Sequence, residues 1–388
     1  AAKAKECGVE LFVLDDGWFG KRSNDYTGLG DWVANKERLP FGIKGLADRI
    51  EEMGMKFGLW FEPEMVNKDS DLYRVHPDWI LHAPQRASCH GRNQYVLDFS
   101  RKEVVDCIYD MMYKILSESK ISYIKWDMNR SITECYSVAL PADRQGEVFH
   151  RYILGVYDLY DRLTTAFPQI LFESCASGGG RFDPGMLYYA PQGWISDDTD
   201  AAERVRIQYG TSMCYPISSM GSHVSVVPNH QLNRITSLHT RANVAYFGTF
   251  GYELDLNKLT DEEIAEVKAQ IIFMKEYREL IQFGNFYRLK SPFDGNETVW
   301  MTVSEDKRKA LVFWYRERNV VNAEFTRVRL QGLDPDLIYK NEYNGTENYG
   351  DELMNLGLLT TDVTAGEPTN EDLPCTDYES RIYVLTAE

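Results

Sequence analysis

Tyr123-Ile124-Lys125-Trp126-Asp127-Met128-Asn129-Arg130 is the stretch that decides how this chain is read. An apolar run over residues 121–124, broken only by Ser122, has the length of a short buried strand and stops abruptly in charge and amide. Side chains on a strand alternate between faces, so Lys125 and Asp127 share one face and Trp126 takes the other. A carboxylate and an ammonium thus line one wall where a strand gives way to a loop, which is where α/β enzymes place their chemistry.

Working outward, the same pattern repeats. Residues 9–14 run into Asp15-Asp16-Gly17-Trp18, and residues 56–61 into Glu62-Pro63-Glu64. Residues 95–98 end in Asp98. Residues 170–175 contain Glu173 and lead to Gly178-Gly179-Gly180-Arg181, and residues 194–196 lead into Asp197-Asp198-Thr199-Asp200. A last candidate strand covers 217–220. Helical stretches separate them at about 43–53, 101–119, 148–167 and 201–213, followed by 232–247 and 261–283. Alternation of this kind predicts a parallel sheet with right-handed crossovers. Acids at so many strand ends fit a (β/α)8 TIM barrel better than a doubly wound sheet, whose site occupies one crevice. The glycines at 178–180 lack the spacing of a dinucleotide fingerprint.

After about residue 284 the texture changes to short strands separated by Gly, Asp, Asn and Pro, at 299–303, 310–315, 325–330, 337–340 and 381–385. The expected organisation is an α/β barrel over 1–284 and an antiparallel β-sandwich over 285–388. A net charge of −17, from 42 basic and 59 acidic residues with no basic block, argues against nucleic acid as a partner. Seven cysteines without paired short spacings suggest free thiols in a reducing compartment rather than a disulfide framework. No apolar run reaches membrane-spanning length, so no membrane partner is expected. The thiols and the acidic surface suggest the cytoplasm. A sequon at Asn129-Arg130-Ser131, inside the candidate site, speaks against a glycosylating route.

The acids carry the chemistry. Two carboxylates flanking a glycosidic bond can cleave it, one attacking the anomeric carbon and the other protonating the leaving oxygen and later activating water. Asp127 is the candidate nucleophile, with Lys125 favouring its charged form. Its partner needs a raised pKa, which crowding among Asp197, Asp198 and Asp200 supplies; one of these can instead cap the next helix. Asp15 and Asp16 suit either sugar hydroxyls or a turn. Trp60 and Trp194 can stack on a pyranose or fill the barrel rim. Arg92 reads as a hydroxyl donor or a surface charge, and Cys175 as a small core residue. The glycines at 178–180 suggest close backbone approach to a ligand.

Five stretches together carry a resemblance: LFVLDDGWFG (11–20), LWFEPEMV (59–66), YIKWDMNR (123–130), ESCASGGGRFD (173–183) and WISDDTDA (194–201). The chain resembles the bacterial-type α-galactosidases of glycoside hydrolase family 36 over nearly its whole length. The resemblance implies a retaining, exo-acting hydrolase of terminal α-galactosyl residues in melibiose- and raffinose-type oligosaccharides, with neither cofactor nor metal. It implies Asp127 as nucleophile and Asp197 as acid/base. Asp15, Asp16, Trp60, Arg92, Lys125, Asn129, Cys175, Gly178 and Trp194 would line the galactose subsite, and Cys175 to Gly178 looks like the version that accepts galactose over N-acetylgalactosamine. Family members carry a large N-terminal β-sandwich and a first barrel strand, whereas residues 1–8 look like the end of a helix. A barrel lacking its first strand, in an N-terminally truncated chain, is therefore expected, with the full-length protein a homo-oligomer. Two other readings stand beside this one: a metal-dependent barrel enzyme and a non-catalytic galactoside binder.

Overall fold

A computed structural model describes residues 1–321, 326–360 and 377–387. The chain divides into two compact units, Ala1–Asp197 and Asp198–Glu388.

In the first unit, helix α1 (Ala2–Cys7) ends at Gly8 in the left-handed conformation. Strand β1 (Leu11–Leu14), helix α2 (Gly42–Glu52), β2 (Lys56–Phe61), the short pair β3 (Met65–Val66) and β4 (Tyr95–Val96), and helices α3 (Asp71–Val75) and α4 (Lys102–Glu118) follow. Then come β5 (Tyr123–Trp126), α5 (Val148–Ala166), β6 (Leu171–Ser174), α6 (Pro184–Tyr189) and β7 (Gln192–Trp194). Strands β1, β2, β5, β6 and β7 pair in that order and all in parallel, so their carboxyl ends share one rim. Helices α4 and α5 bury single apolar faces, Val104, Val105, Ile108 and Met112 on one and Tyr152, Val156, Leu159 and Leu163 on the other. Trp126, fully buried, stacks on Tyr160 at 3.9 Å, while its neighbours Lys125 and Asp127 point the opposite way.

The second unit begins with α7 (Ala201–Ser212), then the parallel pair β8 (Met220–Ser225) and β9 (Thr249–Glu253) around α8 (Leu238–Ala245), then α9 (Asp261–Phe283). The described residues thus hold seven parallel strands alternating with helices. Beyond α9 lie β10 (Asn285–Lys290), β11 (Glu297–Val303), β12 (Lys309–Arg316), β13 (Arg327–Val328), β14 (Ile338–Asn341) and β15 (Glu347–Tyr349), then α10 (Gly350–Asn355), β16 (Leu358–Leu359) and β17 (Glu379–Ala387). Six of these strands form an antiparallel sheet in the order β10-β11-β12-β17-β14-β15, and β13 pairs with β16. Alternate residues Val299, Met301, Val312, Trp314, Tyr383 and Leu385 pack with Val328, Leu330 and Leu358. On the opposite face Trp300 and Phe313 stack at 4.4 Å.

Several expectations need correction. Residues 95–98 do not add a parallel strand: Tyr95–Val96 pairs antiparallel with Met65–Val66. The buried Asp98 turns inward to accept from the Ser100 N–H at 3.1 Å and the Ser137 hydroxyl at 2.5 Å. Residues 217–219 form a 3₁₀ turn, and the strand runs instead through Met220–Ser225, whose glycine and serines hide it from hydrophobic pattern. The helix expected over 232–247 is confined to Leu238–Ala245, and the unexpected β9 follows it. The strand placed at 325–330 begins outside the described residues, and its described part is Arg327–Val328. No helix among the described residues is long and apolar enough to cross a membrane.

Candidate active site

The site is built where β1, β2, β5, β6 and β7 end. Asp127 follows the last residue of β5 and continues the ladder through its N–H to the Phe61 carbonyl at 2.8 Å. Asp127 is 7% exposed and its carboxylate oxygens face donors. Oδ1 accepts from the Met128 N–H at 2.8 Å. Oδ2 accepts from Asn129 Nδ2 at 2.6 Å and Trp60 Nε1 at 3.3 Å. The Cys175 thiol also hydrogen-bonds Asp127; burial first, and the Asp127 charge second, push that thiol far up, so it is an S–H donor rather than a thiolate.

Lys125 shares the face of Asp127, as alternation requires, but its ammonium goes to Asp15 at 2.9 Å. Burial alone would lower the Lys125 pKa; Asp15, and after it Glu173, outweigh burial and drive the net shift upward. Asp16, next to Asp15, is gripped by Arg22 through Nε and Nη2, the latter at 2.7 Å. Arg22 is 4% exposed and was not anticipated as a site residue. Trp60 is 2% exposed and lies among Phe19 and Trp32, and Trp194 is 4% exposed. Both therefore reach the site as indole N–H donors, Trp60 to Asp127 and Trp194 to Asp197.

The acid cluster after β7 sorts itself by hydrogen bonding. Asp200 caps α7, accepting from the N–H groups of Ala202 and Glu203, and pairs with Arg234. Asp198 Oδ1 accepts from the Asp200 N–H at 3.0 Å. Asp197 is left solvent-accessible at the rim. Lost hydration, then the Asp127 charge, raise its carboxyl pKa; Lys125, the Trp194 hydrogen bond and Arg92 oppose that in part. Arg92 and Asn93 both adopt left-handed backbone (φ 50° and 60°) in the turn closed by the Gln94 N–H to the Gly91 carbonyl.

The glycine loop also makes a close approach within the chain itself. Gly178, at φ +79°, packs on the chain itself: a Cβ there would lie 2.6 Å from Ser196 Cα and 2.7 Å from the Asp197 nitrogen. Gly179 meets the Ile195 carbonyl in the same way. The glycines let one strand-end loop press against the segment carrying Asp197.

Two buried acids behind this rim, read in the sequence only as part of a strand end, were given no role there. Glu64 accepts from both Arg181 Nη atoms at 2.8 Å, from Trp126 Nε1 at 2.8 Å and from the Tyr152 hydroxyl, tying the ends of β2, β5 and β6 together. Glu62, 1% exposed, accepts from Gln94 Nε2 at 2.6 Å and from the Asn129 N–H. Glu173, expected at a strand end, is buried within β6 and accepts from the Tyr123 hydroxyl. Among the described residues no three His, Cys, Asp or Glu side chains cluster as metal ligands.

Two carboxyl groups within electrostatic reach, ringed by further acids and cations at the carboxyl ends of parallel strands, have the layout of a glycoside hydrolase site. The melibiase family model matches residues 1–284 and the glycosyl hydrolase family 36 C-terminal domain matches 297–385. The chain belongs to the melibiase family. It is 56% identical to the α-galactosidase AgaA of Geobacillus stearothermophilus over 92% of this chain and 49% of that protein. It is 53% identical to the α-galactosidase Mel36A of Lactobacillus acidophilus over 92% of this chain and 48% of that protein. The AgaA crystal structure superposes with a TM-score of 0.95 at 52% identity, covering all of this chain and 52% of that one. Variants of AgaA have been crystallised with raffinose and with stachyose. This chain spans about half the length of the curated relatives it matches.

Proposed function

We propose that this chain carries the catalytic centre of a retaining α-galactosidase acting on terminal α-galactosyl residues of raffinose-type oligosaccharides. One observation carries the reading: Asp127 is fixed by converging N–H and S–H donors, while the Asp197 carboxyl is raised by lost hydration and by Asp127 itself. A carboxyl raised by its surroundings, beside one ringed with hydrogen-bond donors, divides the acid from the nucleophile. In the first step an Asp127 oxygen bonds to the anomeric carbon as the glycosidic bond breaks, and Asp197 gives its proton to the leaving oxygen. In the second, water attacks that carbon, its proton passes to Asp197, and the bond to Asp127 is released. Asp15 and Asp16, each held by a cation, present acceptors to sugar hydroxyls, and Arg92 presents donors. The raffinose and stachyose complexes of the related AgaA support the substrate class. Six free cysteines among the described residues support a reducing compartment, the cytoplasm.

The test is hydrolysis of p-nitrophenyl α-galactoside and α-N-acetylgalactosaminide side by side in a full-length preparation, with the product anomer followed by NMR. The expected result is α-galactose released first from the galactoside, and none from Asp127→Ala. Inversion, or full turnover by Asp127→Ala, refutes the proposal. Turnover abolished by EDTA would point to a metal-dependent enzyme instead.

A further inference from the structure

Glu62 lies behind the candidate nucleophile, at the end of β2, and touches no open space. Its Oε1 is a double acceptor. One bond comes from the main-chain N–H of Asn129, and the other from Gln94 Nε2 at 2.6 Å. Asn129 in turn points its side-chain Nδ2 at Asp127 Oδ2, 2.6 Å away. Gln94 closes the 91–94 turn in which Arg92 and Asn93 sit left-handed, and its carbonyl accepts from Arg130 Nη1 at 2.9 Å. One buried oxygen thus joins the loop after β5, which aims a donor at the nucleophile, to the turn that presents Arg92.

We infer that Glu62 is a positioning residue for this reaction: through Asn129 and Gln94 it holds the Asp127 carboxylate and the Arg92 turn in mutual register. The inference rests on the α-galactosidase reading of the same site. Burial first, and the nearby Asp127 charge second, push the Glu62 carboxyl up to about 8, so at neutral pH it is an uncharged acid. The Asn129 side chain also hydrogen-bonds this carboxyl, adding to the contacts that tie the loop after β5 to it. The titratable groups facing it are Asp127 from the end of β5 and the Tyr152 hydroxyl from α5. Glu64, two residues on, is turned to Arg181. An uncharged acid suits this place: it accepts the loop N–H without setting a second full negative charge beside Asp127.

The experiment compares wild type, Glu62→Gln and Glu62→Leu in the full-length protein. Glutamine keeps the acceptor and the neutral charge, whereas leucine keeps bulk and removes the acceptor. With an activated leaving group, so that Asp197 is not needed in the first step, folded Glu62→Leu should lose about 10- to 100-fold in kcat, the scale of a sub-ångström to ångström misplacement. Glu62→Gln should lose only a few-fold. Combining Glu62→Leu with Asn129→Ala should cost far less than the two single losses multiplied, because both act through one contact. A purely structural role predicts the reverse: lower melting temperature with unchanged kcat in the folded fraction, and multiplicative losses. Infrared difference spectra between wild type and Glu62→Gln read the same group without turnover. They should show a protonated carboxyl band at pH 7 that fades as pH rises through about 8. Full kcat in folded Glu62→Leu, or no such band, overturns the inference while leaving the assignment of Asp127 intact. Turnover by Asp127→Ala instead overturns the functional reading, and the infrared band then decides the state of Glu62 alone.

Discussion

Replacing Gly178 by alanine tests whether the glycine loop sets the position of the candidate acid. Two costs follow from the geometry. The backbone at φ +79° is left-handed, which costs an alanine about 1–2 kcal/mol. The new methyl would also lie 2.6 Å from Ser196 Cα, so reaching ordinary contact at 3.4 Å requires the two segments to part by about 0.8 Å. Both contacts are backbone, so no side chain can swing aside, and the displacement falls on the residue before Asp197. A shift of that size at a proton donor corresponds to as much as about 10²-fold in rate. The loss in kcat/KM, which reports the first step alone, should depend on the leaving group: large for melibiose, whose departing oxygen needs the proton, and small for a dinitrophenyl galactoside, whose oxygen leaves unaided. Steady-state kinetics on both substrates, with circular dichroism to confirm folding, make the comparison. Equal losses on the two substrates, or none on either, refute the idea that Gly178 acts through Asp197.

Three further outcomes follow from the same geometry. Asp197→Ala should slow turnover of natural galactosides about 10²- to 10⁴-fold and be partly rescued by azide with activated substrates, as kinetics with and without azide would register. Because the folded Glu62 carboxyl titrates near 8 rather than 4.5, its contribution to stability is complete below about pH 4.5 and is lost progressively as pH rises to about 8. The melting temperature of Glu62→Gln relative to wild type should therefore climb between pH 5 and 8; a flat difference would contradict this. Arg181→Met strips the bidentate partner from the fully buried Glu64 and should cost about 3–5 kcal/mol, seen as a lower denaturation midpoint in urea.

The parallel strands at 56–61 and 123–126 were legible because each is a short, nearly continuous apolar run ending in charge. Strand β8 was not, since Met220-Gly-Ser-His-Val-Ser225 carries little apolar signal and is recognised only when paired with β9. Residues 95–98 misled for the opposite reason: a local apolar run says nothing about whether its partner is parallel or antiparallel. At the site, strand alternation correctly put Lys125 and Asp127 on one wall but could not reveal that Lys125 reaches Asp15, 110 positions away in sequence. Arg22, Glu62 and Glu64 went unassigned because their roles depend on contacts across 6 to 117 positions. Sorting the three aspartates after β7 likewise required seeing which one caps α7.

The adjacent acids at the end of β1 have a bearing on solution behaviour. Asp15 is paired with Lys125 and Asp16 with Arg22, so these two acids form a wall rich in acceptors whose charge the two cations balance. In a protein of net charge −17 these two carboxylates are thus each balanced by a cation, and an uncharged ligand would meet little net charge from them. The Michaelis constant for a neutral galactoside should consequently hardly move between dilute buffer and molar salt, even as the protein's association with charged surfaces changes steeply.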